Sequence, residues 1–582
     1  MNTKLLCLGN LQVDFTKRLL SIDRFDDDHN SNATTSTRQQ KTLTVKIGCA
    51  IIDQTIQIRE YFMNDNLLII KTDDGTELVI KYETSEQLYE KYDIKWKNSK
   101  GYHFMKDVIQ IDPTSQWYGG PELAQQSWPL ADTMQSFSPY LSSDTLKADP
   151  FSPTLSYSIY AAKRCTLREF HVILHGILYD KCITVADEGM IRKPIWSTWA
   201  RYSEKVTQHD VLEFAEEILN NHAPICQLEL DDKWSSHYGD FEFDRMKFPD
   251  VNGMCKQLND WEIRLTLWIH PFINLDSNNG QNPTLRHLFV KDCNGEPGIV
   301  QWWRGRAYMI DFTNPEAVGW FCEELEKIRK LGIFSFKFDA GEVTYLPVNF
   351  RLHSGTSPND FSEAYVRTAA SFGNTVEVRV FRRTQSLPIF YRTMDRLSTW
   401  NNIGLNTVIP VALNFGLHGY YFNLPDMIGG NGYNDQKCSK ELYIRWMQAN
   451  QFLLTMQFSY PPWLFDDETC DIFHRIIEKR NELLNFLIEA CRKSCEGGQP
   501  VIRPLWWLSE EPEALCCDDQ FIIDDSMIVA PILIEGARSR IVFLPDGTWQ
   551  YELTGDTYIG PIKLTVEAPL THHAPPYFTR VG

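Results

Sequence analysis

The segment Phe336-Lys337-Phe338-Asp339-Ala340-Gly341-Glu342 places a carboxylate where an apolar, strand-like run gives way to glycine. It follows a helix-like stretch, Pro315 to Leu331, and the alternating run Gly332 to Phe336. A helix followed by a strand is the repeating unit of a βα-barrel, and in such barrels the carboxyl ends of the strands carry the catalytic side chains. The alternative is that Asp339 only solvates a turn.

The same pattern recurs from about residue 190, where strand-like runs alternate with helix-like ones such as Asp210 to Asn220 and Asp360 to Ala370. This alternation predicts parallel strands joined by crossover helices. Polar or aromatic side chains follow several strands, where packing alone would favour apolar ones. The predicted strands are Pro194 to Trp199, Ile225 to Leu230 (before Asp231 and Asp232), Ile263 to Ile269 (before His270), Val376 to Phe381, Leu417 to Leu424 (before Asp426) and Phe452 to Phe458.

Short β-like runs flank this middle region on both sides. Before about residue 185 they alternate with Asp, Asn and Gly turns, which is typical of an antiparallel sandwich. After about residue 500 the clearest strands are Met527 to Ile534 and Arg540 to Leu544, with a turn signal at Pro545 to Trp549. The sequence therefore predicts an α/β protein with an N-terminal β-sandwich (1–185), a (β/α)8 TIM barrel (186–495) and one or more C-terminal β-domains (496–582).

The composition of the chain limits the classes of molecule that it is expected to bind. The chain has 582 residues, 17 Trp and a formal net charge of -19. That charge argues against nucleic acid or an anionic membrane surface, because both need basic patches. The 14 Cys show no zinc or thioredoxin-type spacing, so neither a metal nor a cofactor is expected. A homodimer is left open.

Two carboxylates at neighbouring strand ends, with aromatic residues and no cluster of metal ligands, suit hydrolysis of a glycosidic bond. One carboxylate attacks the anomeric carbon and the other protonates the leaving oxygen. Other enzyme signatures are missing from the sequence: a phosphate-binding glycine loop, a Gly-x-Ser-x-Gly elbow and a His-Glu-x-x-His helix.

Seven short motifs, taken in their order, resemble glycoside hydrolase family 31 and within it the branch of the myogenesis-regulating glycosidase. The resemblance implies a (β/α)8 barrel between β-domains and a retaining mechanism through a covalent glycosyl-enzyme. The motifs are Trp117 to Glu122, Trp196 to Ala200, Leu230 to Trp234, Asp311 to Pro315, Phe336 to Glu342, Pro425 to Asn431 and Arg445-Trp446.

The resemblance also implies roles for individual residues. Asp339 is the expected nucleophile, and Asp395 is the expected acid/base. The alternative for Asp395 is an ion pair with Arg392 or Arg396. Other residues are expected to bind the sugar or to orient Asp339: Lys337, Arg379, Asp231, Asp426, Asp232, Trp199, Trp117 and Trp303.

The chemistry of a retaining glycosidase sets one geometric and one electrostatic expectation for Asp339 and Asp395. The carboxyl groups of a retaining pair lie about 5 to 5.5 Å apart, and the acid needs a raised pKa. His270 is expected to be a packed or supporting residue rather than a base.

The substrate follows from a departure from the family pattern. Family α-glucosidases commonly carry a sugar-binding His after the Arg-Trp segment, whereas Met456 to Trp463 contains none. A second departure is Asn401 after Trp400, where glycine is common. The resemblance to the branch implies α-galactosidase activity on an α-linked oligosaccharide or glycan. α-Glucosidase, α-xylosidase and a catalytically inactive sugar-binding quality-control protein remain alternatives.

Location rests on the resemblance alone. It implies the endoplasmic reticulum lumen or the secretory pathway, although the apolar run at the amino terminus is too short for a convincing signal peptide and no stretch reaches the roughly 18 apolar residues of a membrane span.

Overall fold

A computed structural model describes residues 165–581 except 356, 434 and 435, together with ten earlier segments. The described residues fall into two compact units, one within 1–117 and 131–170 and the other from residue 171 onward. The earlier segments are 6–8, 11–14, 19–25, 40–46, 58–72, 76–85, 89–98, 106–110, 140–142 and 154–162.

Antiparallel strands make up the first unit. They are β1 (Leu6–Leu8), β2 (Leu11–Asp14), β3 (Leu19–Phe25), β4 (Gln40–Lys46), β5 (Ile58–Asn64), β6 (Leu67–Thr72), β7 (Thr76–Thr84), β8 (Tyr89–Asn98), β9 (Lys106–Gln110), β10 (Tyr140–Ser142) and β11 (Thr154–Ala162). One sheet has the order β1-β2-β3-β4-β9-β10 and the other β11-β8-β7-β6-β5. Leu78 and Ile80 on β7 are buried while the residues between and beside them are partly exposed, so this strand has one core face.

Strands of the second unit form three sheets. They are β12 (Ile195–Ser197), β13 (Gln227–Leu230), β14 (Arg264–Ile269), β15 (Phe272–Asn274), β16 (Val300–Trp302), β17 (Gly305–Met309), β18 (Ser335–Phe338), β19 (Glu377–Val378), β20 (Phe390–Arg392), β21 (Asn423–Leu424), β22 (Met427–Ile428), β23 (Gln457–Phe458), β24 (Ile502–Arg503), β25 (Phe521–Ile523), β26 (Met527–Val529), β27 (Ser539–Tyr551), β28 (Thr557–Glu567) and β29 (Tyr577–Arg580).

The central sheet is parallel and has the order β21-β20-β19-β18-β14-β13-β12-β23-β22. Its two ends, β21 and β22, are separated in sequence only by Pro425 and Asp426. They are therefore two halves of one interrupted strand, and the sheet closes into an eight-stranded barrel. The predicted TIM barrel is confirmed.

Helices surround and connect the strands. They are α1 (Leu167–Leu178), α2 (Glu188–Arg192), α3 (Trp199–Tyr202), α4 (Gln208–Asn220), α5 (Val251–Asp260), α6 (Asn278–Gln281), α7 (Pro315–Arg329), α8 (Pro358–Ala370), α9 (Val408–Leu417), α10 (Lys440–Asn450), α11 (Asp467–Gly497) and α12 (Pro512–Leu515). Short 3-10 helices occupy 203–205, 283–288, 343–345, 405–407, 462–464 and 505–507. None of the helices in the described part of the chain has the length and apolar character needed to span a bilayer.

Side-chain caps fix where the crossover helices begin. Thr207 and Ser357 each form a reciprocal capping box, with Asp210 in α4 and Asp360 in α8. Asn314 caps α7, whose first residue is proline. These contacts satisfy backbone N–H groups that have no partner within the helix.

Two smaller sheets complete the second unit. β15, β17 and β16 lie in sequence between barrel strands β14 and β18 and form a three-stranded sheet. The C-terminal sheet has the order β24-β25-β26-β29-β27-β28, which confirms the expected C-terminal β-region. It belongs to the same compact unit as the barrel, and the boundaries 1–185, 186–495 and 496–582 stay predictions.

Three local predictions are wrong in whole or in part, and one of them is the strand expected at 452–458, of which only Gln457–Phe458 forms. Leu417 ends helix α9, and only Asn423–Leu424 of the strand expected at 417–424 forms. Every residue of α9 is buried, so the sequence there has no polar face from which a helical period could be recognised. The turn expected at 545–549 lies inside β27, where the register shifts between Leu544 and Gly547 as a β-bulge.

A buried arginine holds the long helix α11 against the barrel. The Arg480 guanidinium donates to the carbonyl oxygens of Gln451 at 2.7 Å, Leu454 at 2.6 Å and Ile191 at 3.0 Å, and also to that of Leu453. Burial lowers the pKa of Arg480 to about 9. One side chain thus satisfies four carbonyls, three of them in the segment that leads into β23.

We expect Arg480→Met to lower the free energy of unfolding by about 2–4 kcal/mol, because buried carbonyls without donors cost about 1–3 kcal/mol each and relief of the buried cation offsets only part of that. Thermal and denaturant unfolding measure the change. Arg475→Met, an exposed substitution on the same helix, serves as the control and should leave the midpoint unchanged. Equal midpoints for the two variants would contradict the role of Arg480.

Candidate active site

A cavity of about 620 Å³ lies at the carboxyl ends of the barrel strands, a size that suits a small ligand. It brings together eight of the ten residues expected at the site. These are Trp199, Asp231, Asp232, Trp303, Lys337, Asp339, Arg379 and Asp395. Asp426 is not among the lining residues, and Trp117 lies outside the described residues.

Asp339 directly follows β18 and is held by three donors. Trp268 Nε1 donates to Oδ2 at 2.9 Å, while Arg379 Nη1 and Arg392 Nη2 each donate to Oδ1 at 3.3 Å. Burial by itself would raise the pKa of Asp339, but the two guanidiniums and the indole N–H outweigh it and hold the pKa well below its usual range. Asp339 is therefore an ionised carboxylate facing the cavity.

The chain turns sharply just after Asp339. Ala340 and Gly341 have φ values of 58° and 93°. A Cβ on Gly341 would lie 2.6 Å from a ring carbon of Tyr365, whose hydroxyl donates to the Asp339 carbonyl at 2.9 Å. Glycine is thus required where the backbone passes Tyr365.

Asp395 shares its donors with Asp339. Arg379 Nη1 lies 3.2 Å from Asp395 Oδ1, both terminal nitrogens of Arg392 lie 3.0 Å from it, and the Tyr433 hydroxyl donates to Oδ2 at 2.6 Å. Burial opposes ionisation, yet Arg392 and Arg379 lower the pKa of Asp395. The expectation of a raised pKa is wrong, because two guanidiniums contact one carboxylate oxygen.

The shared donors also limit the separation of the two carboxylates. Arg392 Nη2 lies 3.3 Å from Asp339 Oδ1 and 3.0 Å from Asp395 Oδ1. Those two oxygens, one from each carboxyl group, can be no further apart than the sum of these distances, which is compatible with the roughly 5–5.5 Å between the carboxyl groups of a retaining pair. The pair fits the separation of a retaining glycosidase.

Arg379 is oriented from behind by a residue of the opening motif. Its Nε lies 2.9 Å from Glu342 Oε1, which leaves Nη1 to bridge Asp339 and Asp395. Burial raises the pKa of Glu342, against the effect of Arg379. The guanidinium therefore meets a carboxylate on each side.

Lys337 lies at the cavity floor and does not hydrogen-bond Asp339. Its Nζ lies 3.0 Å from Asp231 Oδ2 and 3.2 Å from Glu229 Oε2, with Glu377 Oε1 at 3.8 Å. Burial would lower the pKa of Lys337, but these carboxylates raise it well above its usual value. Lys337 thus holds Asp231 at the cavity rather than reaching the nucleophile.

Asp232 faces away from Lys337, into a second ion pair. Arg304 contacts its Oδ2 through Nε at 2.8 Å and Nη2 at 2.5 Å, and the Tyr238 hydroxyl donates to Oδ1 at 2.8 Å. Arg304 also contacts Glu204 Oε1 at 2.5 Å. This network ties the loop after β13 to the inserted sheet.

Aromatic side chains stand on different parts of the cavity wall. Trp199 donates Nε1 to the Tyr433 hydroxyl at 3.1 Å. Trp303 is 43% exposed and packs against Tyr345 with ring centroids 5.8 Å apart. The exposed indole offers a face on which a sugar ring could stack. Trp302 beside it is buried against Phe272.

Asp426 lies in the interruption between β21 and β22 and has a φ of 68°. Its Oδ2 accepts the Arg396 backbone N–H at 2.7 Å and Asn431 Nδ2 at 2.6 Å, and its Oδ1 accepts Arg392 Nη1 at 3.0 Å. The side chain is fully buried. The structure thus brings Asp426 to Arg392 rather than to the cavity surface.

Sequence reasoning did not identify three residues that touch the carboxylates: Trp268, Arg392 and Tyr433. Trp268 and Arg392 lie in strands, where apolar neighbours conceal them. The sequence predicted Arg392 only as an ion-pair partner of Asp395, in the alternative in which Asp395 has no catalytic role. That ion pair does form, and Asp395 nevertheless lines the cavity. Proximity of Arg392 to strand-end carboxylates was the one available signal.

Two further expectations concern histidine. His270 is buried, its Nδ1 accepts the Phe272 N–H at 3.2 Å, and burial lowers its pKa, which agrees with a packed, neutral ring. None of residues 456–463 is among those that line the cavity. Ser459 instead accepts the backbone N–H of Arg201 at 3.2 Å.

The arrangement combines an ionised buried carboxylate with a second carboxylate at retaining distance. Polar groups on the floor can bind hydroxyls, and an exposed indole can stack on a ring. This set of groups is suited to attack at an anomeric carbon with proton transfer to and from the leaving oxygen.

Known proteins resemble this chain in sequence or in fold. Mouse (Mus musculus) myogenesis-regulating glycosidase is 33% identical over 559 residues, which cover 84% of this chain and 78% of the relative. A GH31 family sulfoquinovosidase from E. rectale has a TM-score of 0.75 at 16% identity, covering 99% of this chain and 96% of that one. A GH31 α-xylosidase from a soil metagenome has a TM-score of 0.68 at 20% identity, covering 99% and 97%.

Family-level matches span the second unit. Residues 193–490 match the TIM-barrel domain of glycosyl hydrolases family 31, and residues 498–582 match the C-terminal domain of that family. Together with the barrel and the carboxylate pair at its strand ends, these matches show that the chain belongs to glycoside hydrolase family 31.

Proposed function

We propose that this family 31 glycosidase is a retaining α-galactosidase that acts on an α-linked oligosaccharide or glycan. The observation that carries the retaining mechanism is the pair of carboxylates bridged by the same arginine nitrogens, Asp339 as nucleophile and Asp395 as acid/base. Their closeness favours direct attack by one carboxylate over the water-mediated attack of an inverting enzyme.

In the first step an Asp339 oxygen attacks the anomeric carbon, and the bond to the leaving oxygen breaks as Asp395 gives that oxygen a proton. The product is a glycosyl ester on Asp339 and a free aglycone alcohol. In the second step Asp395 takes a proton from water, the water oxygen attacks the anomeric carbon, and Asp339 leaves as a carboxylate. The arginines favour the ionised nucleophile at the start and end of the cycle.

Support for galactose comes from residues 456–463. This segment lacks the His that family α-glucosidases commonly use and contributes no side chain to the cavity. α-Glucosidase and α-xylosidase activities are the alternatives, since solved relatives with other substrates share the fold. An inactive sugar-binding protein is a weaker alternative, because both carboxylates are present and paired.

Nitrophenyl α-glycosides of galactose, glucose and xylose test the proposal directly. We expect the galactoside to give the highest kcat/KM and the first sugar released to be the α-anomer, as seen by proton NMR. Faster hydrolysis of another glycoside would replace galactose, and first release of the β-anomer would contradict retention. No hydrolysis of any glycoside, with sugar binding intact, would favour the inactive alternative.

Asp339→Asn should lower kcat on the preferred glycoside by on the order of 10⁴-fold or more, as loss of the nucleophile does in other covalent hydrolases. Binding of the free sugar should persist, because the amide keeps the shape of the side chain. Kinetics and calorimetric titration measure the two quantities. Asp276→Asn, an exposed aspartate outside the cavity, is the matched control. Near-normal turnover by Asp339→Asn would disprove the assignment.

Asp395→Ala should retain most activity on substrates whose leaving group needs little protonation. We expect the loss to be much smaller for a dinitrophenyl glycoside than for an alkyl glycoside, because only the alkoxide requires an acid. Rates of glycosylation across leaving groups of graded pKa measure this. An equal loss throughout the series would count against Asp395 as the acid.

A further inference from the structure

Arg392 is the last residue of β20 and lies three residues before Asp395. Its side chain is only 4% exposed, yet its terminal nitrogens contact three carboxylates. Nη2 reaches Asp339 at 3.3 Å and Asp395 at 3.0 Å, and Nη1 reaches Asp395 and Asp426, both at 3.0 Å. No other cation among the described residues touches all three of these side chains.

Building on the proposed function, we propose that Arg392 is a positioning residue that fixes Asp395 against Asp339 and sets the pH at which Asp395 carries its proton, with Asp426 as the anchor of its guanidinium. Planar guanidinium donors suit this task, since two nitrogens can serve several carboxylate oxygens at fixed angles.

The anchor is rigid. Asp426 is fully buried, its Oδ2 is held by Arg396 N–H and Asn431 Nδ2, and its backbone lies in the positive-φ interruption of the closing barrel strand. Only Oδ1 is directed to Arg392. The guanidinium therefore has one partner that cannot follow it if the catalytic carboxylates move.

Several charged groups from different elements face the two residues. Asp395 meets Arg392 of its own element, Arg379 after β19, Asp339 after β18 and the Tyr433 hydroxyl after β22. Arg392 meets Asp339, Asp395 and Asp426, with Glu377 of β19 and Lys337 of β18 near enough to act electrostatically. Arg392 and Arg379 are thus the two cations that face Asp395.

The reaction changes how this charge is divided. In the free enzyme Arg392 contacts Asp339 and Asp395 together, and the charge of Asp339 raises the pKa of Asp395 while the arginines lower it. Formation of the ester removes the charge of Asp339. Of the two catalytic carboxylates only Asp395 then still faces Arg392 and Arg379 as a titratable group, so its pKa falls and it becomes the carboxylate that the second step needs as a base.

Arg392→Gln and Arg392→Lys separate charge from packing. An opposite charge at this range lowers the pKa of an Asp by about 1–3 units, so we expect the basic limb of the kcat/KM profile to move up by about one pH unit or more in Arg392→Gln, with kcat reduced. Arg392→Lys keeps the charge and should keep the limb near its wild-type position while losing part of kcat, because one ammonium cannot bridge all three carboxylates.

Asp426→Asn gives a change of opposite sign. It removes a negative charge and frees Arg392 for Asp395, so the basic limb should move to lower pH. Arg383→Gln, an exposed arginine between β19 and β20, is the matched control and should leave both limbs unchanged. Thermal unfolding of each variant verifies that it is folded.

Unchanged limbs in a folded Arg392→Gln variant would overturn the inference, as would equal shifts in the Gln and Lys variants. The result is distinguishable from failure of the proposed function, which is decided by the wild type on the nitrophenyl glycosides. If the wild type hydrolyses none of them, the pKa of Asp395, read from the infrared carboxylate band by difference against Asp395→Asn, must still rise in Arg392→Gln. An unchanged pKa in that measurement would overturn the inference equally.

Discussion

The candidate active site depends on two guanidiniums that lie between the Asp339 and Asp395 carboxylates. Charges removed from water are costly unless they are paired and hydrogen-bonded, and breaking such a pair leaves an uncompensated buried charge. Arg379 and Arg392 provide the pairing for Asp339 and Asp395, and Asp426 and Glu342 provide it from the far sides of the arginines. Removing one of these side chains therefore affects all the others, which couples Asp339 to Asp395.

The barrel makes this cluster possible. Strands β18, β19, β20 and β21 are consecutive neighbours in the sheet, and the charged groups lie at or just beyond their carboxyl ends. Parallel strands bring those ends to one edge, so residues distant in sequence meet without any local sequence signature. The break between β21 and β22 adds Asp426, whose backbone has a φ of 68° there and whose carboxylate contacts Arg392.

How far the sequence predicts this site can be seen residue by residue. Asp339 and Asp231 are recognisable because each ends an apolar run with a charge, and the order of motifs identifies Asp395. Arg392 and Trp268 are not, because a polar group within a strand gains its role only from neighbours on other strands. Lys337 lines the cavity and Asp426 does not, and the partners of the two side chains, Asp231 and Arg392, become evident only in three dimensions. Helix α9 was not predicted for a different reason. All of its residues are buried, so its sequence shows no helical alternation of apolar and polar residues.

The lowered pKa of Asp395 poses a chemical question, because the first step needs this residue protonated. The two arginines that lower this pKa differ in how easily a bound substrate could draw them away from Asp395. Both arginines line the cavity, but the Arg392 side chain is 4% exposed and is paired with the fully buried Asp426, whereas the Arg379 side chain is 19% exposed. A sugar hydroxyl can therefore compete for Arg379 but hardly for Arg392. If Arg379 turns to the substrate, Asp395 loses one of its two cations and its pKa rises when a leaving oxygen is present to receive the proton.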